Sequence, residues 1–218
     1  MPTVNGVRAV CVGRPALLAA PRGPLETAIN KRPVSGRVDV GRLGVAGDTQ
    51  VSRKHHGGPD KAVYAYAEED VAHWAAELDR DLPPGTFGEN LRTAGLDLTN
   101  ALVGERWRVG DGGLVVEVTQ PRIPCATFQA WLGEPRWVKR FTAHGAPGAY
   151  LRVVQQGTVA AGDDVEVIHR PGHGVSIGRC FVDFDADAGR RLLDAGASGE
   201  VELADSLVRY ARRAVARA

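Results

Sequence analysis

The sequence has little of what would tie it to a macromolecular partner or to a membrane. Lysine is scarce, four residues against 23 arginines, and the formal net charge is only +1. No run of like charge forms a basic arm, so a nucleic acid polymer is not an expected partner. No apolar stretch approaches the roughly 20 residues that a membrane span requires. The first dozen residues are too short and too broken by polar side chains to form a signal peptide. The three cysteines, Cys11, Cys125 and Cys180, are odd in number and far apart. That argues against a disulfide framework and places the protein in the reducing cytoplasm. Three thiols also fall short of a full ligand set for an iron–sulfur cluster. No Gly-x-Gly-x-x-Gly nucleotide signature, internal repeat or low-complexity tract is present.

What remains is the pattern of one folded unit of 218 residues, 44% hydrophobic. Residues 4–12, 62–67, 114–118, 151–154 and 165–168 are short apolar or β-branched runs and read as strands. Gly110-Asp111-Gly112-Gly113 and Gly162-Asp163-Asp164 supply turns before two of them. Many short strands at this spacing predict a closed or nearly closed β-barrel. Val71, Trp74, Ala75 and Leu78 share one helical face, so the spacing predicts a helix over 68–78, ending before Pro83-Pro84. A second, short helix is expected near 131–141, interrupted by Pro135. After residues 170–174 the composition turns Pro-free and rich in Ala, Arg, Asp and Leu. Ala204, Val208, Ala211 and Val215 fall on one helical face, and Leu192-Leu193 mark an earlier short helix. The expected fold is mainly β with some α: a barrel domain over 1–175, with a short helical C-terminal extension over 176–218. The extension should pack on the barrel, being too short to fold alone.

Charge is distributed unevenly. Residues 31–61 hold seven Lys/Arg against three Asp, a local +4, and the residues beyond sum to −5. Three of the four lysines, Lys31, Lys54 and Lys61, fall in this stretch. A folded patch of this kind suits a compact anion such as a phosphate; it also suits a plain solvated face.

Four strings carry possible chemistry. The first pairs Lys31-Arg32-Pro33-Val34 with Gly47-Asp48-Thr49-Gln50. The second runs Lys54-His55-His56-Gly57-Gly58-Pro59-Asp60-Lys61-Ala62-Val63. Adjacent histidines on an extended segment point to opposite sides, and their spacing matches no usual zinc pattern. One histidine donating to an anion while the other anchors the loop is the better reading. His-Gly-Gly also occurs in esterase oxyanion holes, but no Gly-x-Ser-x-Gly elbow is expected in this chain to go with it. The third string, Thr86-Phe87-Gly88-Glu89-Asn90-Leu91, offers Glu89 and Asn90 either to the edge of a heterocycle or as caps of a turn. The fourth, Gln120-Pro121-Arg122-Ile123-Pro124-Cys125, sets a thiol just past a strand beside an arginine. A guanidinium there favours the thiolate, the metal-binding form, and a soft thiolate suits a polarizable metal. The alternative is a buried, inert cysteine, the reading given to Cys11 and Cys180.

Together these strings resemble the MOSC domain, named for the C-terminal domain of molybdenum cofactor sulfurases, and within it the stand-alone YiiM-like branch. The likeness continues through Gly148-Ala149-Tyr150-Leu151-Arg152-Val153 to Gly162-Asp163 and spans about the first 170 residues. The helical tail is similar to that branch's three-helix extension. The resemblance implies a β-barrel and a pterin-based molybdenum cofactor, with Cys125 as catalytic residue and metal ligand. It implies cofactor contacts from Lys31, Arg53, His55, His56, Lys61, Glu89, Asn90 and Arg122. It also implies an oxidoreductase for small N-hydroxylated compounds, hydroxylaminopurine base analogues among them, with detoxification as its role. The alternative is a carrier of the cofactor or its sulfur without turnover of its own. Pyridoxal phosphate, used by the sulfurases in a separate large domain, is not expected. Reduction needs two electrons per turnover, so an external reductase is the expected partner.

Overall fold

The computed structural model describes residues 5–21, 23–51 and 57–218. Its centre is an eight-stranded sheet ordered β13-β9-β10-β11-β7-β8-β1-β4. In chain order these are β1 (Gly6–Gly13), β4 (Lys31–Pro33), β7 (Val63–Ala67), β8 (Leu91–Ala94), β9 (Arg106–Val109), β10 (Leu114–Pro121), β11 (Ala149–Gln155) and β13 (Val165–His169). A hairpin of β2 (Ala16–Leu18) and β3 (Leu25–Thr27) stands apart. So does a small sheet of β5 (Val38–Gly41), β6 (Gly44–Val45) and β12 (Gly157–Val159).

The expected closed or nearly closed barrel is not traced by a continuous strand ladder among the described residues. The start of β1, the strand next to the β4 end, is tied to the β13 end by a few backbone bonds: Val7 N–H donates to Asp163 O (2.8 Å), Gly162 N–H to Val7 O (2.8 Å), and Val165 N–H to Asn5 O (2.9 Å). These bonds bend the sheet back on itself, yet no continuous ladder joins β13 to β4 among the described residues. The architecture is mixed α/β, with more helix than the strand-rich sequence pattern implies.

All neighbouring pairs in the large sheet are antiparallel except β7 and β8. That parallel pair is joined by α1 (Glu68–Leu78), whose bounds are those the periodicity predicts. A parallel pair needs such a crossover, and the crossover covers a second face of the sheet. Every residue of β7 is therefore buried. Val63, Ala65 and Ala67 point into the aliphatic core, and Tyr64 and Tyr66 into an aromatic cluster with Trp74, Phe87, Phe128, Trp137 and Phe141.

The single helix expected near 131–141 is two: α2 (Ala126–Leu132) and α3 (Trp137–His144). Gly133, at φ 75°, closes α2 in the left-handed conformation. Pro135 lacks a donor to continue it, and the chain restarts at Arg136. The C-terminal extension holds α4 (Ile177–Phe181), α5 (Ala186–Ala197) and α6 (Asp205–Val215). Ser176 and Asp185 cap α4 and α5, accepting N–H bonds from Arg179 and Ala188. On α6 the buried positions are Leu207 and Ala211, with Val208 and Val215 only half-buried, a rotation of the predicted face. Ile177, Cys180, Ala188, Leu192, Ala204 and Leu207 join the same aliphatic core as the strands. Among the described residues no helix is long and apolar enough to cross a membrane.

Where α1 meets α3, His73 and His144 stack at 4.1 Å between ring centroids, and Asp70 lies 3.9 Å from His144. Burial, followed by the Glu69 and Asp97 carboxylates, raises the Asp70 carboxyl to about 6. Its folded pKa thus lies above its unfolded value near 3.8, so the folded state holds the extra proton and this group's contribution falls as pH rises from about 4 to about 6. Asp70→Asn should gain thermal stability over the native chain at pH 7 and little or none at pH 4. Melting curves at both pH values check this, and a variant less stable at pH 7 contradicts it.

Candidate active site

Strand register brings the site together. Cys11 N–H donates to Asn90 O, Asn90 N–H to Tyr64 O, Tyr64 pairs with Tyr150, and Tyr150 with Gln120. One row of residues thus crosses β1, the start of β8, β7, β11 and β10, and Arg122 and Cys125 follow where β10 ends. Beside this row lies a cavity of about 290 Å3. Its walls include Leu25 to Ile29, Lys31, Asp48 to Val51, Lys61, Tyr64, Asn90, Arg122, Cys125 and Tyr150.

Asp48 organises one wall. Its carboxylate accepts the Lys31 ammonium, the Gly13 N–H (2.7 Å) and Asn90 Nδ2 (2.9 Å). Gly13 has to be glycine here, because a Cβ would stand 2.2 Å from Ala28 O. Asn90 also donates to Cys11 O (3.1 Å), and its Oδ1 accepts Tyr64 N–H (3.2 Å). Both donors of its amide are used within the protein. Gln50 fastens the segment before β7, donating to Leu43 O (3.0 Å) and Lys61 O (3.2 Å) and accepting Gly58 N–H (3.0 Å).

The opposite wall carries Arg122 and Cys125. Arg122 is buried, with its guanidinium carbon 3.6 Å from the Phe128 ring centroid and 5.4 Å from that of Tyr64. A desolvated cation over aromatic faces is held electrostatically by the ring quadrupoles. Its Nη1 has no hydrogen-bond partner among the described residues. Burial raises the Tyr150 phenol above its ordinary pKa, with the Arg122 charge opposing and Cys125 reinforcing the rise. Lys61 places its ammonium 5.5 Å from the Tyr150 ring centroid. Burial lowers its pKa, and neighbouring Asp60 partly offsets this.

Of the residues read from the sequence, Lys31, Lys61, Asn90, Arg122 and Cys125 line one cavity. Glu89 does not. It is fully buried, accepts the Gly85 and Phe87 N–H groups and pairs with Arg92 at 2.6 Å, so it fixes the loop before β8. Arg53, His55 and His56 lie outside the described residues. Asp48, Tyr64 and Tyr150 had no role assigned from the sequence. Asp48 was legible as the carboxylate of Gly-Asp-x-Gln, whereas the tyrosines needed strand register to reveal them.

The three thiols differ in exposure. Cys125 is half-buried and opens to the cavity, whereas Cys11 and Cys180 are buried and each is pushed up to about 12, chiefly by desolvation. Gly-x-Ser-x-Gly spacing does occur, at 174–178, but Ser176 is the cap of α4, and His173 engages Val103 O and Val175 N–H with its two ring nitrogens. No hydrolase elbow is formed. Among the described residues no group of three His, Cys, Asp or Glu side chains could hold a metal ion.

A MOSC domain family model matches residues 52–166. The chain belongs to the MOSC family. Within it the chain is YiiM-like, being 32% identical over 177 residues to Protein YiiM of Escherichia coli (strain K12), with 78% of each chain covered. It is 37% identical over 166 residues to YflK of Bacillus subtilis (strain 168), covering 76% of this chain and 74% of that one. It is also 34% identical over 152 residues to a protein named Reductase from Gibberella moniliformis (strain M3125 / FGSC 7600). That match covers 68% of this chain but 27% of the fungal protein. The crystal structure of YiiM from Geobacillus stearothermophilus superposes with a TM-score of 0.77 at 25% identity, covering 97% of this chain and 99% of that one.

For this MOSC domain the Asp48 hub gives a direct test. Asp48→Ala strands the buried Lys31 ammonium and two further donors, a loss of about 3–5 kcal/mol for a broken buried pair. Urea unfolding should show that loss, with Asp48→Asn intermediate; a loss below about 1 kcal/mol would show that the pair does not hold this wall.

Proposed function

We propose that this chain binds the pterin-based molybdenum cofactor through the Cys125 thiolate and reduces small N-hydroxylated compounds with electrons from a separate reductase. One observation carries the reading. Cys125 is the thiol that opens to the cavity, and the Arg122 guanidinium and Lys61 ammonium share that cavity with it.

The residues present fit such a group. A single soft thiolate suits a polarizable metal whose other ligands come from an organic cofactor. The buried Arg122 favours negative charge close to the thiolate. Tyr64 and Tyr150 give a flat heterocycle aromatic walls, and Lys61, with Arg53 and His56 of the neighbouring segment, would take the phosphate. Lys31 and Asn90 would act at one remove, through Asp48, and Glu89 by holding the loop that presents Asn90. When bound, the cofactor would supply the two-electron redox centre that none of these side chains provides.

Conversion of an N-hydroxylated compound to its amine takes up two electrons and two protons and releases water. The sequence carries no dinucleotide signature and too few cysteines for a relay cluster. Electrons would therefore arrive by contact with a donor protein. The fungal relative named Reductase supports redox chemistry. Its activity belongs to a protein of which this chain matches about a quarter, so the activity comes here only as part of the proposal.

Molybdenum content decides the first part. Protein from a cofactor-producing host should carry the metal, and Cys125→Ser should lose it while keeping its melting temperature; stoichiometric metal in that variant refutes the ligand assignment. Loaded protein should reduce a hydroxylaminopurine with reduced viologen and not with NADH or NADPH alone. Bound metal without viologen-driven turnover would favour the carrier reading, and turnover with nicotinamide alone would reveal an electron entry site in this chain.

A further inference from the structure

One strip of the cavity wall, Leu25 to Ile29, offers a phosphate or a soft metal little to hold. It comes from β3 and the residues that follow, and glycines fix where it lies. A Cβ on Gly13, at the end of β1, would collide with Ala28 O, and one on Gly85 with Lys31 O. A Cβ on Gly88 would stand 3.0 Å from Ile29 Cγ1. Gly85 and Gly88 also hold φ values of 93° and 73°, in the left-handed region that favours glycine. The strip is therefore pressed against the end of β1 and the loop before β8. Within it, Ile29 N–H donates to Thr27 Oγ1 (3.2 Å), and Ile29 O accepts Lys31 N–H (2.9 Å).

Upstream of this clamp, β3 pairs with β2 alone among the described residues. Leu18 stands opposite Leu25, and Leu17 opposite Glu26. Opposed residues share a face and strand neighbours alternate, so Leu18, Leu25 and Thr27 form one face and Leu17 and Glu26 the other. Leu25 is 36% exposed against 76% for Leu17, and Leu25 and Thr27 line the cavity, so theirs is the face turned toward it. Glu26 stands exposed at the rim. The same cavity carries the Cys125 thiol and the Arg122 guanidinium on its other wall. A compound with its N–OH group at that wall would lay its body on Leu25 and Ile29. An apolar body gains there by taking Leu25 out of water. A phosphate on that body would lose its hydration against apolar side chains and meet the Glu26 carboxylate at like charge.

We propose that the strip Leu25–Ile29 is the substrate wall of this cavity. It selects the uncharged aromatic form of an N-hydroxylated compound, a free base, over the phosphorylated nucleotide. Leu25 determines the fit of the ring, and Glu26 turns phosphate away. The inference rests on the reading above that the cavity reduces such compounds. For 6-hydroxylaminopurine the N–O bond breaks, two electrons come from the external donor with two protons, and adenine and water are the products.

Two measurements test this, one of them independent of turnover. In the full chain without cofactor, 13C-methyl NMR follows a titration with adenine, the product. The chain has four isoleucines, few enough to resolve Ile29, and Leu25 is assigned by the signals lost in Leu25→Ser. Adenine should shift the methyls of Leu25 and Ile29 and leave those of Leu17 in place. In the loaded chain, with reduced viologen as donor, kcat/KM is compared for 6-hydroxylaminopurine and its nucleoside 5′-monophosphate. The base should be preferred about tenfold, the scale of one like-charge contact, and Glu26→Gln should narrow that ratio through the KM of the monophosphate. Leu25→Ser should raise KM for the base about threefold to tenfold, with a smaller change in kcat, as a lost apolar contact does. Leu17→Ser, on the other face of the same hairpin, should change neither. Unmoved Leu25 and Ile29 methyls, or equal kcat/KM for base and monophosphate, overturns the proposal. A Leu17→Ser effect equal to that of Leu25→Ser overturns it too, since the hairpin's stability would then be the cause. Methyl shifts without turnover of either form support the wall and overturn the reductase reading instead.

Discussion

The Asp48 carboxylate stands where three stretches of chain distant in sequence converge: the end of β1 through Gly13, the start of β4 through Lys31 and the approach to β8 through Asn90. Taking a carboxylate and an ammonium out of water costs several kcal/mol for each ion, which their attraction returns only if the remaining lone pairs are also satisfied. The pair is therefore a weak source of net stability and a strict condition on geometry. Every donor must arrive together. Meeting that condition fixes the first wall of the cavity and, through Asn90, the height at which Tyr64 enters it.

This changes what the basic stretch means. The local excess of positive charge over 31–61 suggests cations waiting for an anion, and folding consumes part of it. Lys31 is spent on Asp48, and Arg37 pairs with Asp163 and Asp111 far from the cavity. Arg122, outside the stretch, supplies a charge that no sequence count points to, held over aromatic faces. The electrostatics of the site are decided by how folding partners its arginines and lysines, and net charge along the chain says little about that.

The sequence makes some parts of this molecule legible and hides others for physical reasons. The helix over 68–78 is read to its bounds, because its apolar face has helical period and polar residues punctuate both ends. The five strands read from alternation and turns are placed to within a few residues, whereas β4, β8 and β9 of the large sheet were not read. The contact between β1 and the β13 end is another matter, since it depends on a handful of bonds between 5–7 and 162–165 that leave no mark in composition. Within the site, Cys125 and Arg122 are legible because one short string holds both. Glu89 and Asn90 illustrate the limit: adjacent on a strand approach, they face opposite ways, and the alternative reading of them as turn-fixing groups describes Glu89 in full and Asn90 in large part. Tyr150 was invisible as a site residue because only the pairing of β10 with β11 and of β11 with β7 carries it to the cavity.

Solvation distinguishes the three cysteines. Cys11 shares β1 with the hub and lies near Lys31, whose charge lowers its pKa, yet burial outweighs that charge and leaves it a thiol. Cys180 has Arg179 as its neighbour and meets the same fate inside the core of the extension. A nearby cation is thus not enough; the sulfur must also keep some exposure, because the thiolate needs either water or a ligand to replace it. Cys125 has that exposure because β10 ends at Pro121 and α2 begins only at Ala126, which leaves the sulfur on an extended residue between them, at the cavity wall. The break between strand and helix, as much as the arginine beside it, is what sets this cysteine apart.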